Sequence, residues 1–344
     1  MDHQPVLITG GTGFIGSHVA RALLDLDYEV VLLDVRGLSD EAKFILGKHA
    51  GQVPVELASI DNWPRLMEVV KQRQPRSIVH IGGIVDPLFL FKNPLMVLRV
   101  NVEGTLNVLE AARLFGVGRV VYFSSIGVLP AIQYQPIDAN HPVITAREGP
   151  ASGAYGAGKL AGEAFCFAYH QAFKLDVRII RPSAAYGFGM QWHSSNYMKQ
   201  FVEPAVRGEK VNLPSGGPLP RDYTHVKDIA SLTAAVLRAP ADADRIFYAA
   251  TGQPLTTASE AARLVSELVP GADIQIANVL SEDDQVELGF RGVLSIESGR
   301  KQLGWEPSYP RLRDGVAEYV TTYRAFLAAN HWQFSLSKSG GLAS

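Results

Sequence analysis

The chain has 344 residues, 47 % of them hydrophobic and 19 % charged, with 32 glycines and 20 prolines. This is the composition of a globular α/β protein with a sizeable core, and it excludes disordered and collagen-like classes. Thirty-two Lys and Arg against 34 Asp and Glu leave a formal charge of −2, so no global basic field points to nucleic acid or an anionic membrane.

From Pro5 onward, short β-rich runs alternate with helical periodicity, the pattern of βαβ units around a parallel sheet. In chain order the pattern predicts a strand at 6–9, a helix at 17–26, strands at 30–34 and 53–57, a helix at 63–73 and a strand at 77–81. A helix at 95–115, a strand at 120–124, a helix at 155–173 and a strand at 177–181 follow. Several of these strands are apolar throughout, as expected when helices cover both faces of the sheet. Beyond Arg181-Pro182 the regularity loosens into Gly, Ser, Pro and aromatic residues, which reads as a lobe with substrate-facing loops. A strand at 246–251 returns to the sheet, helices are predicted at 259–268 and 313–327, and 335–344 reads as a flexible tail.

The single cysteine, Cys166, lies in the apolar run Ala164 to Ala168 and reads as a buried structural thiol. One cysteine forms neither an intrachain disulfide nor a cysteine-rich zinc site, which fits a reducing compartment. No apolar run is long enough for a membrane span, and strand-like sequence begins by Val6, so a cytoplasmic protein is expected.

The strongest local signal is Thr9-Gly10-Gly11-Thr12-Gly13-Phe14-Ile15-Gly16, directly after the first strand and opening a helix. Glycines there let the backbone turn sharply and approach a pyrophosphate, whose charge the helix N-terminus stabilises. Eighteen residues past Gly16, at the end of the second apolar strand, stands Asp34, placed to accept hydrogen bonds from an adenosine ribose. Its carboxylate repels a 2′-phosphate, which favours NAD over NADP, with Arg36 close behind tempering the preference. Asp61, after the third strand, has two readings, a ligand of the adenine amino group or the N-cap of the helix at 63–73.

Tyr155-Gly156-Ala157-Gly158-Lys159 sets a phenol and an ammonium four residues apart, on one helix face. A tyrosine near pKa 10 is a poor base at neutral pH, and a nearby cation brings it toward the working range. Ser124 and Ser125 end a buried strand at the carboxyl edge of the sheet, where open α/β sheets bind ligands.

These residues together resemble the extended short-chain dehydrogenase/reductase family, in its NAD-dependent epimerase/dehydratase group typified by UDP-galactose 4-epimerase. The resemblance runs from about Val6 to Trp305 through ordered blocks: the glycine loop, Ile78 to Gly83, Asn101 to Thr105, Phe123-Ser124-Ser125, Tyr155 to Lys159, Arg181-Pro182, Arg221 to Asp228 and Leu303 to Pro307. It implies a Rossmann-type doubly wound parallel sheet with a smaller α/β substrate lobe. Residues 1–182 and about 225–252 would form the NAD-binding domain, and 183–224 with 253–334 the lobe. It further implies Tyr155 as general base, Lys159 as its pKa partner and ribose ligand, and Ser125, three positions before Val128, as the hydroxyl that orients substrate. The NAD ligands so implied are Gly10, Gly13, Phe14, Ile15, Gly16, Asp34, Asp61, Ile81, Gly82, Gly83, Asn101, Tyr155, Lys159 and Pro182. Substrate contacts fall to Ser125, His193 and Arg221, and paired helices imply a homodimer. No metal is called for, since His225 and Asp228 lack a third ligand nearby.

Departures from the family narrow the chemistry. Ile126-Gly127 stand where dehydratases of the group carry Asp-Glu, which argues against 4,6-dehydration. Ala184 replaces an asparagine that nucleotide-sugar enzymes use, and the acidic run from Ser281 to Glu287 replaces an Arg-Pro-Gly-Asp segment, so two of three expected diphosphate contacts are missing. The expected activity is that of a sugar or nucleotide-sugar epimerase, with a dehydrogenase of a smaller polyol or sugar acid, and a non-catalytic NAD sensor, as competing readings.

Overall fold

Strand β1 (Val6–Thr9) sends Val6 and Ile8 into one core and Leu7 into another, because side chains alternate across a pleated strand. The computed structural model describes residues 5–191 and 197–339. Its central sheet adds β2 (Val30–Asp34), β3 (Val55–Leu57), β4 (Ser77–His80), β5 (Arg119–Phe123), β6 (Asp176–Pro182) and β7 (Ile246–Ala249). All seven run parallel in the order β7-β6-β5-β4-β1-β2-β3, so the order reverses between β1 and β4. That reversal opens a crevice at the carboxyl edge, the place where a doubly wound sheet binds ligands.

Helices cover both faces. Phe14–Leu24 and Val226–Leu237 bury Val19, Leu23, Ile229 and Leu232 against Val6, Ile8 and Leu32. Trp63–Arg73, Gly104–Leu114 and Gly153–Phe173 bury Leu66, Val108 and Cys166 against Leu7, Ile78 and Val177. Each such aliphatic side chain contributes about 1.5–3 kcal/mol relative to exposure. A third core joins Tyr186, Phe201, Val265, Tyr319 and Val320 in the second half of the chain. Three strand pairs run there: Ala184–Tyr186 with Tyr223–His225, Pro220–Arg221 with Thr256–Thr257, and Val211–Leu213 with Ile274–Ile276.

Strand positions agree with the sequence pattern to within about two residues, but three expectations are corrected. The helix at 95–115 is interrupted: a short turn, Pro94–Met96, passes into a π-helical segment, Val97–Glu103, before Gly104–Leu114. The terminal helix is Leu312–Ser339, so it runs beyond the predicted 313–327 and includes 335–339. Helices Met198–Arg207 and Val226–Leu237 carry no counterpart in the sequence reading. Among the described residues no helix is long and apolar enough to cross a membrane.

His225 and Asp228 are consumed by the fold. Asp228 accepts the Ser308 and Tyr309 amides at 2.7 and 3.0 Å. His225 Nδ1 accepts the Lys227 amide, which leaves the Nε2 proton facing Glu318, 2.9 Å away on the terminal helix. Burial opposes the Glu318 charge, but hydrogen bonds from His225, Lys227 and Thr322 overcome it and hold the carboxyl at about 2. A depressed carboxyl stabilises the fold fully above its ordinary pKa of 4.5 and loses that stabilisation as pH falls toward 2. Glu318→Gln is therefore expected to cost about 2–3 kcal/mol at pH 7. In urea titrations the gap to the parent should narrow steadily from pH 5 to pH 3; a pH-independent gap would contradict the assignment.

Candidate active site

The glycine loop leaves β1 at the crevice. Gly10 has φ +67°, and a Cβ there would stand 2.9 Å from the Gly82 backbone; a Cβ on Gly16 would stand 2.1 Å from the Gly10 carbonyl. Only glycine lets β1, the loop and the β4 end approach this closely. Gly13 caps the helix Phe14–Leu24 without any side-chain acceptor, so the opening amides, those of Phe14 and Ile15 among them, have no intrahelical partner. Asp34, half-buried at the end of β2, accepts the Thr12 amide at 3.2 Å and the Val35 amide at 2.8 Å, which turns its carboxylate toward the loop. Asp61 accepts the Ser59 hydroxyl, and Asn62 caps Trp63–Arg73 instead, which removes the capping reading of Asp61. An uncapped helix start, a side-chain-free cradle and a strand-end carboxylate form the donor and acceptor set of a dinucleotide, so the residues fit the cofactor.

A polar relay, not foreseen from sequence, locks the other wall. The Gly82 amide donates to Thr9 Oγ1 (3.1 Å), which donates to His80 Nδ1 (2.7 Å); His80 Nε2 donates to Thr105 Oγ1 (3.0 Å), which donates to the Asn101 carbonyl (2.7 Å). Burial, helped by the Lys159 charge, pulls His80 down to about 3, so the ring is neutral and holds the one tautomer this direction requires. The Asn101 amide group spans the Ile84 backbone, accepting at 2.8 Å and donating at 2.9 Å. Asn101 therefore braces the Ile81-Gly82-Gly83 segment from behind. The π-helical turn carries it, a widened geometry that recurs at functional sites. The signal available in the sequence was a histidine ending an otherwise apolar strand.

Across the crevice, Ser125 and Tyr155 meet. The Ser125 hydroxyl accepts the Gly127 amide at 3.0 Å and lies close enough to the Tyr155 phenol to act on its pKa. Gly156 makes this possible, since a Cβ there would lie 2.3 Å from the Gly127 carbonyl oxygen. Burial holds the Tyr155 phenol above its ordinary value, with the Ser125 hydroxyl pulling the other way. Lys159, 4 % exposed, donates to the Phe123 carbonyl at 2.7 Å and lies over the Tyr122 ring. Burial pulls its ammonium down to about 8, opposed by the Glu163 charge one turn on. Glu163 is itself held by Arg181 at 2.9 and 2.7 Å, next to Pro182 at the end of β6. Ser124, the rejected neighbour, has a buried hydroxyl without a hydrogen-bond partner.

The substrate side is partly described. His193 lies outside the described residues. Arg221, on the short strand Pro220–Arg221, is 2 % exposed and precedes Asp222, whose carboxylate gathers Ser183, Thr224 and Thr251. Its guanidinium is partly engaged within the protein: Glu287 lies 2.9 Å from it and also binds Arg291, a residue missed in the sequence. Among the described residues no three His, Cys, Asp or Glu side chains gather as a metal site.

Comparison with known proteins places this geometry. Residues 6–249 match the NAD dependent epimerase/dehydratase family. UDP-glucuronic acid decarboxylase 3 of Arabidopsis thaliana is 30 % identical over 318 residues, covering 90 % of this chain and 86 % of that protein. UDP-glucose 4-epimerase of Thermus thermophilus, solved in complex with NAD, superposes with a TM-score of 0.76 at 26 % identity, covering 93 % of this chain and 99 % of that one. The Thermotoga maritima UDP-glucose 4-epimerase, at 22 % identity, shares the fold with a TM-score of 0.82, covering 94 % and 99 % of the two chains. The chain thus belongs to the NAD-dependent epimerase/dehydratase family and is an NAD-dependent enzyme of the extended short-chain dehydrogenase/reductase class.

Proposed function

We propose that the enzyme acts at a secondary alcohol of a sugar or nucleotide sugar, with the activity of a sugar 4-epimerase. The observation that carries this reading is the nearness of the Ser125 hydroxyl to the Tyr155 phenol, with Lys159 one turn along the same helix. Bound NAD supplies the hydride acceptor and donor. Its ligands are the glycine loop from Gly10 to Gly16, Asp34, Asp61, the Ile81 to Gly83 segment braced by Asn101, Pro182, and Lys159 through ammonium protons not used on Phe123.

Ser125 orients the substrate oxygen. Tyr155 takes the hydroxyl proton at its phenolate oxygen as the carbon is oxidised, and returns it when the carbon is reduced from the opposite face. Lys159, protonated below about pH 8, supplies a positive charge that favours the phenolate. Positioning by Ser125 and the crevice wall converts binding into reaction geometry. A dehydrogenase of a smaller polyol or sugar acid is the second reading, favoured by the Arg221–Glu287 contact that fills a phosphate-binding position. Net NADH accumulation during turnover would move the assignment to it.

A homodimer in the cytoplasm is also proposed. Phe165 and Phe173 on helix Gly153–Phe173, with Leu98 and Leu114 on the adjoining segments, are exposed apolar side chains on a face that a second copy would cover. The lone buried cysteine supports a reducing compartment.

Tyr155→Phe should lower kcat about 10²–10⁴-fold while NAD affinity, followed by quenching of intrinsic fluorescence, stays within about threefold; unchanged turnover would revive a sensor role. Asp34→Ala should weaken NAD and raise the NADP-to-NAD ratio of kcat/KM about tenfold or more, with Arg36 free to meet the 2′-phosphate. Phe165→Glu is expected to shift sedimentation from the dimer to the monomer, and a monomeric parent would overturn the dimer outright.

A further inference from the structure

The seat between Arg221 and Arg291 is built like an anion site but is held by the protein's own carboxylate. Both guanidiniums contact the same oxygen of Glu287, Oε2. The Arg221 side chain is 2 % and the Arg291 side chain 8 % exposed, while Glu287 is 26 % exposed and faces outward. Three buried donors at this place have no hydrogen-bond partner: Arg221 Nε, Arg291 Nε and Tyr223 Oη. Burial, together with the charge of Arg221, pulls Arg291 down to about 10, and Glu287 works against the fall. The Tyr197 ring lies 5.7 Å below the Arg221 guanidinium, and the other carboxylate nearby, Asp284, is turned away onto the Ser281 amide, Ser215 and the Tyr197 hydroxyl. Two guanidiniums thus face one carboxylate, leaving a surplus of one positive charge and three donors without acceptors. A single carboxylate matches that surplus and has lone pairs for all three donors. A diphosphate brings two or more negative charges into the same space and meets Glu287 as a like charge.

Resting on the hydride-transfer reading above, we infer that Glu287 is a specificity-determining residue: an internal anion that closes the diphosphate seat, so that the substrate is a sugar acid bearing one carboxylate and not a nucleoside-diphosphate sugar.

The test uses the full chain saturated with NAD and two probes, D-gluconate and uridine diphosphate, titrated calorimetrically. In the parent, gluconate should bind about tenfold or more tightly than uridine diphosphate. Glu287→Gln should raise uridine diphosphate affinity about tenfold and change gluconate by about threefold or less, whereas Glu287→Asp, which keeps the charge, should retain the parent's order. Thermal melts by circular dichroism report folding; if the Gln variant fails to fold, the order of the two probes on the parent decides alone. The inference is overturned by a parent that binds uridine diphosphate as tightly as gluconate, by a parent that binds neither, or by a folded Gln variant with unchanged uridine diphosphate affinity. Binding needs no turnover, so these results are separable from hydride transfer: a reversed charge preference with Tyr155-dependent catalysis intact overturns the role of Glu287 alone.

Discussion

Backbone packed directly on backbone is the constraint from which the site follows. At the switch between β1 and β4, the glycine loop touches the Gly82 backbone with no room for a single methyl group at Gly10. The same device recurs on the catalytic side, where Gly156 lets the first turn of Gly153–Phe173 rest on the Gly127 carbonyl. Phenol and serine hydroxyl then meet without any flexible connection. Both contacts set positions that side-chain packing alone would leave loose, and pre-positioned groups are what an enzyme of this class needs most.

Charge is handled differently in the two halves of the cleft. Along and beneath the helix Gly153–Phe173, Lys159, Glu163 and Arg181 alternate in sign, each buried and each hydrogen-bonded. Such an array adds little net stability relative to an apolar one, but it fixes geometry because breaking any pair strands a buried charge. In the second half of the chain the alternation is incomplete: Arg221 and Arg291 share Glu287, and donor atoms remain unmatched. The first arrangement is fully paired; the second leaves donors unmatched.

The central sheet was legible from local pattern because its strands are short apolar runs bounded by turns, and the loop, Asp34, Ser125, Tyr155 and Lys159 were legible because family spacing survives in them. Val226–Leu237 escaped since eight of its twelve residues are buried, which erases the polar face that marks a helix boundary. Met198–Arg207 escaped because Pro204 lies inside it. The π-helical turn at Val97–Glu103 cannot be told from an α-helix by apolar spacing, yet it aims Asn101 at Ile84. Contacts between distant residues were the least visible. An acidic run beginning at Ser281 read as the absence of a phosphate ligand, when one of its members is the counterion of an arginine sixty-six residues upstream.

The relay from the Gly82 amide to the Asn101 carbonyl has a property beyond bracing. Its bonds point one way along the line, because the amide at one end only donates and the carbonyl at the other only accepts. Reversing the His80 tautomer would take the Thr105 proton away from the Asn101 carbonyl and leave the Thr9 proton without the ring nitrogen as its acceptor. The wall therefore ties β1, β4 and the π-helical turn through one line of buried hydrogen bonds, and breaking any link leaves a buried polar group without its partner.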